Sequence, residues 1–247
     1  MNDPSSQSKQ DGVAPQAASG PGGKGDCNGS ARTRAATGED HSTAEVSEKK
    51  VLNEEMMNLV LSSENLRAAY LKVKANKGAA GIDGIEVEDL SEHVRRHWSK
   101  IQAKLVAGKY KPSPVRRVRI PKPAGGERQL GIPTTVDRLI QQAVVGVLDP
   151  VFDPGFSEHS YGFRRNRSAH DAVKTAQSYV QEGKTWVVDL DIKAFFDHVN
   201  HDTLMRAVGQ KVRDKPLLRL IGSYLRAGAM ENGKISKSTV GVPQGAP

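Results

Sequence analysis

The chain has 247 residues, 36 of them Lys or Arg against 28 Asp or Glu, for a formal net charge of +8. Residues 1–50 hold six basic and seven acidic residues, so the remainder carries +9; a surplus on that scale favours a polyanionic partner through counterion release, although an ordinary basic surface is the plainer alternative. The single cysteine, Cys27, excludes a disulfide framework within one chain and any Cys-based metal cluster, which fits a cytoplasmic protein. No run reaches the ~18 apolar residues that span a bilayer, and no apolar signal core opens the chain.

Residues 1–50 are rich in Gly, Ser, Ala, Asp and Gln, and they lack the large apolar residues needed to offset the entropy of ordering. They read as a disordered tail. Ser62 or Ser63 caps a helix to about Asn76, with Leu66, Ala69, Tyr70 and Val73 at helical spacing and Gly78 as its stop. A second helix fits about 87–107, with Leu90, Val94, Trp98, Ile101 and Leu105 as its stripe.

Val115, Val118 and Ile120 lead into Pro123-Ala124-Gly125-Gly126, and Leu130 and Ile132 follow, which predicts a β-hairpin with a glycine-rich tip. Its polar positions are basic: Arg116, Arg117, Arg119, Lys122 and Arg128. A solvated basic strand face is the alternative to a phosphate-binding role. A helix from about Val136 to Leu148 is expected to stop at Pro150. Ser168 and Asp171 then form a capping-box pattern for a helix to about Gln181.

Thr185–Asp191, TWVVDLD, predicts a central strand ending in carboxylates. A carboxylate in an apolar strand is costly unless it is paired or holds a cation. At a strand end it can hold Mg²⁺ with a nucleotide's phosphates, or it can be a solvated terminus. Helices at about 201–211 and 216–227 precede Glu231-Asn232-Gly233-Lys234, which has the signature of a tight hairpin.

Five blocks carry a resemblance. Asp191-Ile192-Lys193-Ala194-Phe195-Phe196-Asp197 resembles motif A of reverse transcriptases in the form used by group II intron enzymes. NKGAAGIDG (76–84), RRVRIPKPAGGERQLGIPTTVDRLIQQA (116–143), SYGFRRNRSAHDAV (160–173) and GVPQGAP (241–247) resemble, in the family's order, the block before the fingers, the fingers hairpin with its following helix, the next block, and motif B.

The resemblance implies an α+β fold: a helical N-terminal extension (51–112), fingers (113–184) and a partial palm (185–247) behind the disordered tail. It also implies RNA-directed DNA polymerisation with two Mg²⁺ ions, supporting intron splicing and mobility. The implied partners are an intron RNA template, a DNA primer or target and deoxynucleoside triphosphates, with no membrane. Asp191 matches the first catalytic aspartate and metal ligand, the Ile192 carbonyl a second oxygen donor, and Asp189 a secondary metal candidate. Lys122 and Arg128 match residues that hold the triphosphate. Phe196 matches a steric gate against ribonucleotides, with core packing as the alternative for it and for Phe195. Gln244 and Gly245 match the pair against the nucleotide and template base.

Arg116, Arg117, Arg119, Arg164, Arg165 and Arg167 are expected on the nucleic-acid backbone. Tyr161 and Phe163 read either as stacking residues or as core. The family's next element, with two adjacent aspartates, is not within these 247 residues. The chain alone is therefore expected to be inactive and poorly stable, with an unpaired edge at Trp186–Leu190. The competing reading is a non-catalytic RNA-binding remnant.

Overall fold

In the computed structural model the described residues are 55–122 and 125–245, all within one compact unit, His41–Pro247. The expected tail at 1–50 lies outside them. The fold is α+β, with a helical core and a four-stranded sheet.

The helical core forms around α4, Thr135–Phe152, whose first half is buried on nearly every face. Val136, Leu139, Ile140, Ala143 and Val144 are all buried there. Three other helices close over it: α1 (Met56–Val60), α2 (Ser63–Ala75) and α3 (Leu90–Val106). The Ser62 hydroxyl caps α2 by accepting from the Asn65 N–H. Asn65 then donates from Nδ2 to the Ala143 carbonyl of α4 at 2.9 Å, and Gly146 leaves the space its side chain needs. A glycine at this mid-helix site costs propensity, and the close crossing explains it.

Pro150 does not stop α4. The helix runs on through Val151 and Phe152, which pack against the core, and passes into a 3-10 turn at Asp153–Gly155. Burial of those two side chains offsets the missing proline N–H in the last turn. Gly78 likewise does not end α2. Asn76 caps it, Lys77 takes the left-handed φ of 44°, and Gly78 makes room for the Arg138 guanidinium.

Three more helices follow: α5 (Ala169–Gln181), α6 (His201–Lys211) and α7 (Lys215–Arg226). The Ser168–Asp171 capping box of α5 forms in full. Leu217 and Leu220 of α7 enter the core. Asp214, 2% exposed, ties α7 to the start of α1: its carboxylate accepts the Leu217 N–H at 2.8 Å and the Met57 N–H at 2.7 Å. Asp214→Ala leaves both buried donors unpaired and should lower the unfolding free energy by about 2 kcal/mol. Urea denaturation followed by circular dichroism checks this; an unchanged midpoint would contradict the double-cap account.

The sheet has the order β2-β1-β3-β4. Strands β1 (Val115–Pro121) and β2 (Glu127–Ile132) form the expected antiparallel hairpin. Strands β3 (Ala229–Glu231) and β4 (Lys234–Ser236) turn through Asn232 and Gly233, at φ 50° and 77°; two successive positive values are what a type I′ turn needs. The hairpins join through a parallel pairing of Val115 with Ala229 and Arg116 with Met230.

The strand expected at Thr185–Asp191 is not formed. Its side chains lie in solvent, with Trp186 95% and Leu190 87% exposed. An extended run becomes a strand only where a neighbour accepts its backbone hydrogen bonds, and no described segment pairs with this one.

Candidate nucleotide-binding and catalytic site

The fingers-like hairpin, the turn after Asp191 and the loop before Gly245 meet through backbone contacts. The Val242 N–H donates to the Phe196 carbonyl, the Gly241 N–H to the Val199 carbonyl and the Gly131 N–H to the Gln244 carbonyl, each at 2.8 Å. Buried His201, in the first turn of α6, adds a hydrogen bond between Nε2 and the Gly241 carbonyl at 2.7 Å. Gly241 has a φ of +78°, and a Cβ there would lie 2.8 Å from the Asp197 carbonyl oxygen. A Cβ on Gly131 would lie 2.7 Å from Pro243 Cβ. Both glycines serve close approach of chain to chain.

Two clefts result. One, of about 850 Å³, is lined by Lys122, Arg128 and Arg117 of the hairpin together with Lys193, Lys237 and Gln244. The second, of about 470 Å³, is lined by Asp191, Ile192, Phe195, Phe196 and Gln244. Ala194 and Gln244 border both. Ala194 holds a left-handed φ of 51°, which turns the chain sharply from Ile192 into a 3-10 turn at Phe195–His198. Gly245, at φ +97°, packs its Cα against Leu130.

Of the residues singled out in the sequence, Lys122, Arg128, Asp191, Ile192, Phe196 and Gln244 thus border adjoining clefts, with Gly245 next in the chain. Asp189 is exposed and lines neither. Among the described residues, Lys122 and Arg128 have no ion-pair partner. The neighbouring arginines differ. Arg116 donates from Nε and Nη2 to the Ala80 carbonyl at 3.0 and 2.6 Å. Arg119 bridges Glu231 at 2.8 Å and Glu127 at 3.2 Å, with Arg117 4.0 Å from Glu231.

Sequence reasoning missed what the GAAG core of NKGAAGIDG does. Its carbonyls receive two arginines, Arg116 at Ala80 and Arg138 Nη2 at Ala79, the latter at 2.7 Å. Gly81 lies so close to α4 that a Cβ would stand 2.6 Å from Thr134 Cα.

It also missed Asp137, 1% exposed in the first turn of α4. Asp137 accepts from the Tyr110 hydroxyl at 2.8 Å, the Thr134 hydroxyl at 2.8 Å, the Ser113 N–H at 3.1 Å and the Tyr224 hydroxyl at 3.1 Å. Burial pushes its carboxyl above the ordinary value against the pull of these donors, and burial beside that carboxylate raises Tyr110 and Tyr224. A charged residue inside an apolar helix was the available signal.

The second basic cluster is largely engaged. Arg164 binds the Asp153 carboxylate, Arg165 is 3.1 Å from Asp149, and Arg167 donates to the Glu158 carbonyl. Among the described residues no helix is long and apolar enough to cross a membrane.

Residues 120–247 match the family described as "Reverse transcriptase (RNA-dependent DNA polymerase)". The chain is 40% identical over 178 residues to "Group II intron-encoded protein LtrA" of Lactococcus lactis subsp. cremoris, covering 72% of this chain and 29% of that protein. It is 34% identical over 196 residues to "Protein YkfC" of Escherichia coli (strain K12), covering 77% of this chain and 51% of the relative. It therefore spans about half the length of one curated relative and less than a third of the other. Among solved structures, the "Partial Cas6-RT-Cas1--Cas2 complex" aligns with a TM-score of 0.51 at 22% identity, over 78% of this chain and 32% of that chain, a likeness of fold.

Proposed function

Because the chain belongs to the reverse transcriptase family, in the form encoded by group II introns, we propose that its two adjoining clefts bind and orient a deoxynucleoside triphosphate for RNA-directed DNA polymerisation. The observation that carries this reading is the shared wall of Ala194 and Gln244, with free cations on one side and Asp191 and Phe196 on the other. Phosphoryl transfer depends on positioning and charge neutralisation, and that division of labour suits both clefts.

Lys122 and Arg128 hold the triphosphate from the hairpin. The Phe196 ring occupies the space a ribose 2′-hydroxyl would need. Gln244 and Gly245 lie against the nucleotide and template base. The Asp191 carboxylate and Ile192 carbonyl are hard oxygen donors of the kind Mg²⁺ takes, and they would hold it. Bound there, Mg²⁺ would neutralise charge developing on the transferring phosphoryl group. Asp189 remains a secondary ligand.

Intron RNA as template, a DNA primer or target, and the reaction's service to intron splicing and mobility belong to the same proposal. So does the division into a helical extension (51–112), fingers (113–184) and palm (185–247). Arg117, Arg165 and Arg167 contact the nucleic-acid backbone, while Arg116, Arg119 and Arg164 shape the surface that presents them.

A two-metal site draws carboxylates from separate segments, and on this reading the described residues supply only part of one. Among the described residues no three His, Cys, Asp or Glu side chains converge. In a primer-extension assay with an RNA template, DNA primer, deoxynucleotides and Mg²⁺, the isolated chain should give no product. It should still bind a deoxynucleoside triphosphate more tightly than its ribonucleotide counterpart, and Phe196→Ala should remove that preference. Template-dependent synthesis by the isolated chain would overturn the incomplete-site account. Equal binding of the two sugars by the unaltered chain would overturn the gate.

Non-catalytic RNA binding is the second reading, favoured by Asp191 being the one carboxylate among the residues that line the second cleft. It expects salt-dependent RNA binding without any preference between nucleotides.

A further inference from the structure

The loop between α4 and α5 is tied down at almost every polar side chain. The Arg164 side chain is 9% exposed. It donates to both carboxylate oxygens of Asp153, at 2.7 and 3.1 Å, and to the carbonyls of Asp153, Ser157 and Ser160. The Tyr161 hydroxyl shares a 2.7 Å hydrogen bond with Thr175 of α5, and the Arg167 guanidinium lies 5.5 Å from the centre of the Tyr161 ring.

Within this rigid frame Phe163 is the exception. It holds a left-handed φ of 57° and its side chain is fully exposed. A bulky aromatic residue is a genuine outlier in that region, and strain persists only where the surroundings over-determine it. Here the Arg164 contacts do so: the left-handed turn at 163 sends Arg164 inward and the ring outward. The turn explains the backbone but not the side chain, because Gly or Asn would hold it at less strain. The ring neither packs nor caps. Arg165, 55% exposed although paired with Asp149 at 3.1 Å, stands two residues beyond it and next but one to Arg167, which lies over the Tyr161 ring; a surface ion pair of this kind is weak enough to yield to a phosphate.

We propose that Phe163 is a stacking platform for an unpaired base of a single-stranded nucleic acid whose phosphates pass Arg165 and Arg167. An aromatic face beside a cationic track is the recurring arrangement for holding a strand without reading its sequence. The proposal rests on the polymerase reading only in taking nucleic acid as the partner.

The probe is a fluorescein-labelled oligoadenylate of about 12 nucleotides, titrated with the 247-residue chain at several salt concentrations and followed by anisotropy. Phe163→Ala should bind about tenfold more weakly with an unchanged salt slope, because stacking releases no counterions. Phe163→Trp should keep the affinity and lose indole emission on binding. Phe163→Gly should raise Tm by about 2–4 °C by relieving the strain. Wild-type affinity in Phe163→Ala, or a fall in Tm for Phe163→Gly, overturns the platform while leaving nucleic-acid binding intact. Absence of salt-dependent binding by the unaltered chain overturns the nucleic-acid partner itself, and the platform with it.

Discussion

Replacing Asp137 with alanine should lower the unfolding free energy by about 3–5 kcal/mol, a large fraction of what holds a domain folded. The carboxylate is where three parts of the chain converge: the segment entering β1 (Tyr110, Ser113), the first turn of α4 (Thr134) and α7 (Tyr224). Truncation leaves these buried donors without an acceptor, each carrying a desolvation cost of about 1–3 kcal/mol where water cannot enter. Asparagine is a partial repair: its oxygen can accept from the Ser113 N–H and Thr134 hydroxyl while its amide donates to the Tyr110 and Tyr224 hydroxyls, so it should cost less than alanine.

The pH dependence gives a second readout. Burial raises the folded-state pKa above the ordinary carboxylate value. The contribution from the protonated carboxyl is therefore fully present below the unfolded value and is lost as pH rises through the folded one. Asp137→Asn should remove that downward step from the stability profile. Urea unfolding across pH measures both effects, and a midpoint in Asp137→Ala equal to wild type would overturn the account.

The paired substitution Lys122→Ala with Arg128→Ala should weaken Mg²⁺-dependent deoxynucleotide binding by about 100-fold while leaving stability unchanged. Each cation can contribute a charge-assisted hydrogen bond of about 1.5–3 kcal/mol to a phosphate oxygen, and neither now has an ion-pair partner among the described residues. Arg116→Ala should do the reverse. Its donors are held by Ala80, so the fold should weaken while nucleotide affinity stays within about twofold. Isothermal titration of all three proteins, with thermal melts alongside, separates the cases. If Arg116→Ala lost nucleotide affinity as steeply as the pair, the distinction between free and engaged cations along one strand would fail.

That distinction marks where the sequence was informative. Local chemistry was legible: the Ser62 and Ser168 caps, the hairpin with Gly125 and Gly126 at its tip, and the Asn232-Gly233 turn stand where their residue types demand. The blocks that line the clefts were legible too, because each carries its chemistry in a short run. Partnership was not. Nothing in the spacing of Arg116, Arg117 and Arg119 says which guanidinium meets a carbonyl, which meets Glu231 and which faces a cleft, since the partners come from residues 80 and 231. The run at 185–191 has the composition of a strand, but pairing is a property of two segments, and composition supplies only one. Pro150 shows the same limit, because the packing of Val151 and Phe152 outweighed a sound local rule.

The parallel pairing of Val115 with Ala229 also bears on the order of events during synthesis. Strands β1 and β2 are neighbours and can zip within microseconds, but an isolated two-stranded hairpin is marginal in water. Its companion strand leaves the ribosome more than a hundred residues later. The loop that must close between them carries an entropic cost met before any contact rewards it. Until then the hairpin lacks its third strand, and the core around α4 lacks Leu217 and Leu220 of α7 as well. The sheet, and with it the wall that brings Gln244 against Gly131, is a late product of folding, and slower elongation would not hasten it.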